Sequence, residues 1–417
     1  MASGKMDIFT LDYLNEQCIF TVPPEAAVFA LLFALLLLLP LGACSDGNAA
    51  MPTPPRRMAS AGLRSVLHSP FQVEPYLQLG PGPASPERLT LLWHAQEDLD
   101  GWTVEIKPQS GEAWTRMARP VSVLVGGPGA HRVWFAGLGP LAPGQPFEYR
   151  VLLDGAEVFR TEAKALTGPG QFQRVVVAGD LALPASAEAC AALRRIHQEN
   201  PDLLVAAGGL MDPPASPAQY QRAFFSLYNA GQDDPWAGAP LMRSTVLVGA
   251  LQDPGGRFCM AAPGEEVPFG PGQVHDGNPR PAHPPAPGNY CFRSGDAHWT
   301  VLDGRRGRLG DPALVAWLSR ELGAAQNVPW RFVVCQRGNA GDPGLKSLWP
   351  LLCAGNVSIV FTGAQREYRR AVPPAYGPVA VATGAASYAM MEISASRVVF
   401  RQQDARGTDL DRFTLSQ

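Results

Sequence analysis

The chain has 417 residues, of which 46% are hydrophobic and 17% charged, and a formal net charge of −3. That length is enough for two or three domains with cores of their own. The lack of a basic excess excludes a nucleic-acid-binding role, which calls for a cationic face.

The first segment to carry a signal is Ala26 to Ala43, AAVFALLFALLLLLPLGA, which holds no charge. Leu41-Gly42-Ala43-Cys44 then resembles a bacterial lipobox, with Cys44 as the lipidated residue, and the small, polar, Pro-containing stretch after it suits a tether. Residues 1–44 therefore read as the export signal of an envelope lipoprotein and 45–69 as a flexible linker. The alternative is a single-pass membrane protein. Asp7, Asp12, Glu16 and Glu25 precede or open the apolar run against a single Lys5, and Arg56, Arg57 and Arg64 follow it, a charge order that suits an uncleaved anchor.

Residues 70–167 read as all-β. LTLLWHA, WTVEIKP, HRVWFAGL and FEYRVLLDG are period-2 or continuous apolar runs separated by Gly/Pro clusters, the pattern of a small β-sandwich. Trp93 and Tyr149 are expected in its core. The abundance of Gly (43) and Pro (41) fits many short strands joined by turns.

From residue 172 to 417 strands alternate with helices. RVVVA is followed by a helix with Ser186 as its N-cap and Cys190, Leu193 and His197 at helical spacing. DLLVAA is the next strand. Ser216-Pro217-Ala218-Gln219 has the form of a capping box opening a helix through Tyr228. STVLV is a third strand, and YCFRSGDAHWTVLDG reads as a hairpin turning at Gly295-Asp296. Asp311-Pro312 opens a helix through Leu322, RFVVC and VSIVF are buried strands with a helix between them, and β-strands return from Val379 to Leu415. This alternation predicts a central sheet with helices on both faces and a site at the carboxyl ends of its strands.

Five of these strand ends carry a resemblance in order and spacing. FQRVVVAGDLA, PDLLVAAGGLMD, STVLVGALQD, PWRFVVCQR and VSIVFTGAQREYRR resemble the five motifs of the purple acid phosphatase-like, calcineurin-like metallophosphoesterases. The segments PYLQLG, LLWHA and HRVWFAGLGPLAPGQPFEYRV are similar to the fibronectin type III-like domain that precedes the catalytic domain in that family. The resemblance implies an N-terminal β-sandwich followed by a central β sandwich flanked by helices, with a Pro/Gly-rich insertion over 253–288. It also implies two metal ions, such as iron, zinc or manganese, that make a hydroxide and clamp phosphate oxygens.

The side chains that this chemistry needs are largely replaced. Asp180 keeps the first-motif aspartate. Gly209 stands where the resemblance implies the metal-bridging aspartate, and Asp212 where it implies a tyrosine. Ala250 and Leu251 replace the Asn-His pair of the third motif, Gln336 the histidine of the fourth, and Ala364 and Arg366 the two histidines of the fifth. Tyr368 and Arg370 persist beside them. No metal or other cofactor is expected, and the reading is an envelope-anchored pseudophosphatase that binds or scaffolds an unknown protein or anionic ligand. The alternative is an active phosphoric-ester hydrolase whose site is rebuilt from Asp180, Asp212, Asp253, His275, Asp276 and His283.

The remaining candidates read as structural. Arg366, Arg369 and Arg370 either attract an anion at the mouth of the cleft or are rim charges paired with Glu367 and its neighbours. His94, His131, His197 and His298 lie in strands or a helix. Cys335 and Cys353 sit in apolar runs and read as buried thiols, and Cys259 and Cys291 flank the insertion and pair only in an oxidising compartment. The absence of any Cys-x-x-Cys pair argues against structural zinc. There is also no Gly-x-Ser-x-Gly elbow and no Gly-x-x-x-x-Gly-Lys-Ser/Thr loop.

Overall fold

Alternation of apolar and polar side chains sets the first two sheets. The computed structural model describes residues 69–80, 87–125, 130–179, 186–208, 221–231, 237–249, 289–304, 309–335, 342–365, 367–372, 377–384 and 387–417. The first strands are β1 (Phe71–Leu79), β2 (Leu89–Ala95), β3 (Trp102–Pro108), β4 (Thr115–Arg116), β5 (Val121–Val125), β6 (His131–Leu138), β7 (Pro146–Leu153) and β8 (Ala156–Lys164). They form two antiparallel sheets, ordered β1-β2-β6-β5 and β4-β3-β7-β8, as in a Greek-key sandwich. In β3, Trp102, Val104 and Ile106 point inward while Thr103, Glu105 and Lys107 point out. Their inward partners are Trp93, Trp134, Tyr149 and Val151, and Trp93 stacks on its cross-strand neighbour Trp134. Trp93 and Tyr149 are therefore core aromatics, as their setting in the sequence predicts.

β2 does not alternate, because every one of its residues is buried. One face of its sheet meets the other half of the sandwich. The opposite face, through Val73, Tyr76, Leu92, Val133 and Phe135, packs on Phe224, Phe225 and Tyr228 from the second half of the chain. A strand covered on both faces reads as a continuous apolar run.

The second half comprises β9 (Gln173–Ala178), α1 (Ala187–Gln198), β10 (Leu203–Ala206), a π-helical turn (Gln221–Phe225) continued by α2 (Ser226–Tyr228), α3 (Leu241–Ser244), β11 (Leu247–Gly249), β12 (Tyr290–Ser294) and β13 (Ala297–Leu302). It continues with α4 (Pro312–Ala324), β14 (Trp330–Cys335), α5 (Pro343–Ala354), β15 (Ile359–Gln365), β16 (Arg369–Ala371), β17 (Val379–Gly384), β18 (Ser387–Ile393), β19 (Arg397–Asp404) and β20 (Asp409–Ser416). These strands make two mixed sheets, ordered β11-β10-β9-β18-β19-β20 and β12-β13-β14-β15-β17-β16. The central layer is thus two sheets face to face, where the alternation of strands and helices taken alone predicts one. Val175, Val177, Leu203 and Val205 of one sheet share a core with Trp299, Phe332, Val334 and Phe361 of the other. Val176, Ala178 and Leu204 face away toward α1, and Val333, Cys335 and Val360 face away toward α4 and α5. An unbroken run such as Val175-Val176-Val177 requires cover on both faces but does not say whether a helix or a sheet supplies it.

The helix ends follow local chemistry. Ser186 Oγ accepts from Ala189 N at 3.1 Å, and Asp311 Oδ1 accepts from Ala313 N at 2.9 Å, with Pro312 opening α4. Asp342 caps α5 by accepting from Gly344 N at 2.8 Å and Leu345 N at 3.2 Å. The buried stripe of α1 is Ala189, Ala192, Leu193 and Ile196 together with Cys190, whereas His197 is exposed. In α5 the buried residues are Leu345, Leu348 and Leu352, and Cys353, turned about 100° further around the helix, is only partly buried. Cys335 is buried as expected. Cys291 is a free thiol whose Sγ lies 3.4 Å from Thr300 Oγ1, and Cys259 lies outside the described residues.

From Leu67 to Gln417 the chain packs as one unit. Tyr149 Oη donates to the Arg243 carbonyl at 2.8 Å, Asn229 Nδ2 donates to the Glu74 carbonyl at 2.8 Å, and Arg243 pairs with the Glu74 carboxylate at 2.5 Å. These bonds, with the shared apolar face, fix the sandwich against the α/β half. Among the described residues no helix is long and apolar enough to cross a membrane. Residues 26–43 and Cys44 lie outside them.

Candidate functional site at the strand ends

β9, β10 and β11 run parallel, as do β13, β14, β15 and β17. Within each set the carboxyl ends therefore lie along one edge. Glycines bring the two edges together. A methyl group at Gly363 in β15 would sit 2.2 Å from both the Ala207 carbonyl oxygen and the Gly208 Cα, and one at Gly179 would sit 2.5 Å from the Thr383 carbonyl oxygen. The ends of β9 and β17, and of β10 and β15, thus approach backbone to backbone, which only residues without Cβ allow.

The sequence candidates follow directly on these ends. Asp180 follows Gly179, Gly209 follows Gly208, Ala250 and Leu251 follow Gly249, Gln336 follows Cys335, and Ala364 follows Gly363. Ala364 lies in β15. Asp180, Gly209, Asp212, Ala250, Leu251, Gln336 and Arg366 lie outside the described residues, as do Asp253, His275, Asp276 and His283. Among the described residues no group of three or more His, Cys, Asp or Glu side chains converges.

Around this edge the described side chains are engaged with one another. Tyr290 Oη donates to the Gly249 carbonyl at 3.0 Å and accepts from Gly249 N at 3.1 Å, pinning the end of β11. Burial raises its phenol pKa above the ordinary value. Asp411 Oδ2 accepts from Tyr368 Oη at 2.6 Å and pairs with Arg370 Nε at 2.9 Å, and the Arg370 guanidinium lies over the Phe413 ring. Burial first, then the Asp411 carboxylate, pushes the Tyr368 phenol up. Arg369 reaches Glu367 at 3.7 Å on the surface. Arg370 is therefore a rim charge with a carboxylate partner, the second of its two readings, whereas Arg369 is an exposed charge whose contact with the exposed Glu367 is worth little in water.

Asp303 falls in none of the five motifs. It follows β13 much as Asp180 follows β9, it is fully buried, and its backbone N–H donates to Asn289 Oδ1 at 2.8 Å. Its only trace in the sequence is an Asp-Gly pair after an apolar run. Tyr290 likewise carries no motif, since a tyrosine opening a strand looks like any strand residue.

Among the described residues, His94, His131 and His298 are packed within strands. His94 and His131 are buried and stack with ring centres 5.0 Å apart, and Tyr76 Oη lies 3.2 Å from His94 Nε2. Burial, then the proximity of His131, holds the His94 pKa well below its ordinary value. His298 lies directly across from Arg331 on one side and Arg293 on the other. Burial, then Arg331, then Arg293, lowers its pKa to about 4.

Two packed mixed sheets with helices outside and the carboxyl ends of their parallel strands along one edge constitute the metallophosphoesterase fold, here preceded by an antiparallel sandwich. Among solved structures the chain is similar to a purple acid phosphatase from yellow lupin (Lupinus luteus) seeds, with a TM-score of 0.60 and 17% identity over 82% of this chain and 74% of that one. It is also similar to PhoD, with a TM-score of 0.52 and 11% identity over 84% of this chain and 91% of that one. No sequence-family model matches the chain, and no curated protein sequence does.

Proposed function

We propose that the chain is a non-catalytic binding protein built on the metallophosphoesterase fold and held at the bacterial envelope through Cys44. The observation that carries this reading is a mismatch between scaffold and donors. The chain shares the fold, yet the positions at or just after the ends of β9, β10, β11, β14 and β15 hold Asp180, Gly209, Ala250-Leu251, Gln336 and Ala364-Gln365-Arg366. A pair of hard cations needs carboxylate and imidazole donors from several strands. Glycine, alanine and leucine side chains offer no lone pair, Gln336 is neutral, and Arg366 adds positive charge where two cations would sit. Asp180 and Asp212 do not make up that loss. This donor set does not fit a dinuclear centre, and no hydrolytic step is assigned to it. Arg370 is held by Asp411, which leaves the exposed Arg369 to meet the partner, a protein or an anionic ligand.

Elemental analysis of the purified protein should find no stoichiometric iron, zinc or manganese, and p-nitrophenyl phosphate should not turn over above background. Stoichiometric metal, with turnover lost in Asp180→Asn, would replace this reading with that of an active phosphoric-ester hydrolase using a site rebuilt from Asp180, Asp212, Asp253, His275, Asp276 and His283. The anchor is tested separately. Palmitate labelling should be lost in Cys44→Ala, whereas a variant that remains membrane-bound points to a single-pass anchor through Ala26 to Ala43.

A further inference from the structure

Edge strands decide what a sheet can add, and proteins blunt them with charge, proline, shortness or cover. Each of the four sheets has two edges. β1 carries Glu74 and Pro75 and is packed by α3 and the π-helical turn. β4 has two residues, and β8 carries Glu157, Arg160, Glu162 and Lys164 and lies against α3. β11 has three residues, with its end held by Tyr290. β12 carries Arg293, β16 carries Arg369 and Arg370, and β20 carries Asp409, Asp411 and Arg412.

β5 differs from all of these. It reads Val-Ser-Val-Leu-Val, with neither charge nor proline, and among the described residues its strand partner is β6 alone. Val121 and Leu124 are each 50% exposed. Arg119 and Pro120 lead from the β4 side of the sandwich into β5, and a cavity opens on each side of them. One, of about 450 Å³, is lined by Trp102, Met117 and Arg116 among others. The second, of about 520 Å³, is lined by Leu99, Trp134, Val121 and Arg132 among others.

The charge beside this edge is unbalanced. Arg116 donates to Thr103 Oγ1 at 3.0 Å, and Arg132 donates to Ser122 Oγ and to the Glu97 carbonyl, each at 3.1 Å, so both spend these bonds on neutral oxygens. The Arg119 side chain is 83% exposed and meets Asp100 only at 3.8 Å, a contact worth little in water. Among the residues that line the two cavities, three guanidinium groups face two carboxylates, those of Glu97 and Asp100.

We propose that β5 is a docking edge that takes an extended segment of a partner protein as an added strand, with apolar side chains over Val121 and Leu124 and a carboxylate against Arg119. Main-chain bonds to the open edge supply affinity, and alternate side chains entering the cavities supply selectivity. The surplus cation makes an acidic segment preferable to a basic one. This site lies on the N-terminal sandwich and uses none of the strand-end residues, so it stands or falls independently of the non-catalytic reading.

The probe is a blocked hexapeptide of alternating valine and threonine ending in glutamate, added to the full chain, with calorimetry and amide hydrogen exchange as readouts. Binding should slow exchange at 121–125. Leu124→Glu should weaken it about tenfold, and Arg119→Glu should reverse the preference between the glutamate peptide and its lysine counterpart. Both side chains are exposed, so melting temperatures should be unchanged. If either variant melts lower, Leu124→Thr and Arg119→Gln carry the same test with smaller effects. Unslowed exchange at millimolar peptide, or a preference indifferent to Arg119→Glu, overturns the proposal. So does a concentration-dependent dimer that Leu124→Glu abolishes and the peptide does not compete, which would assign the edge to a second copy of the chain.

Discussion

His298 shows how burial, with two arginine neighbours, makes a common side chain sensitive to pH. It sits across from Arg293 and Arg331, it is largely buried, and its pKa is lowered to about 4. The unfolded chain takes up a proton near pH 6.5, before the folded chain does. The stability tied to this residue is therefore complete above about pH 6.5 and lost as pH falls through 4, to the extent of about 3 kcal/mol. Urea titrations across that range should show a loss smaller by about that amount in His298→Gln. That His298 is structural is legible in the sequence, because it sits in an apolar strand. The two arginines that add to the effect of burial on its pKa are not, since strand pairing brings them together from 293 and 331. The same limit applies to Arg370, whose partner Asp411 lies 41 positions away in sequence and meets it through the closing of two sheet edges.

At the scale of elements, the contact between β15 and the end of β10 is made by Gly363 against Ala207 and Gly208, and Gly363 has no room for a side chain in their direction. Gly363→Ala must push one sheet off the other, at a cost of about 1–3 kcal/mol, and should lower the melting temperature more than Gly323→Ala, which meets open space in α4. An equal response of the two variants would contradict the close approach. The strands themselves are readable from their apolar runs, and Ser186 and Asp311 are readable as caps because each precedes a helical period. The division of the central layer into two sheets is implied by the resemblance of the five motifs and not by the runs themselves, because a valine buried by a facing sheet and one buried by a helix leave the same letter. The candidate positions are legible in the sequence as residues at or just after the ends of apolar runs. Tyr290 and Asp303, which also belong to that edge, carry no motif and emerge only from folding.

For the whole molecule, the decisive surface is the face that Val73, Tyr76, Leu92 and Phe135 present to Phe224, Phe225 and Tyr228. Phe225 touches Tyr76 and His94 at ring distances of 5.1 and 5.3 Å. Phe225→Ala should cost about 3–5 kcal/mol, and both halves should weaken together in calorimetry. Loss confined to the α/β half would mean that the halves are energetically separate. The sequence separates the two halves by their change of period but does not show that they share a core.

That shared core governs how the protein can be subdivided. Cutting between Lys164 and Gln173, an attractive boundary by sequence, would expose several aromatic rings on each fragment to water. A patch of that kind drives aggregation, so expression of either piece alone should yield insoluble material, while the intact chain from Ser69 onward keeps those rings dry.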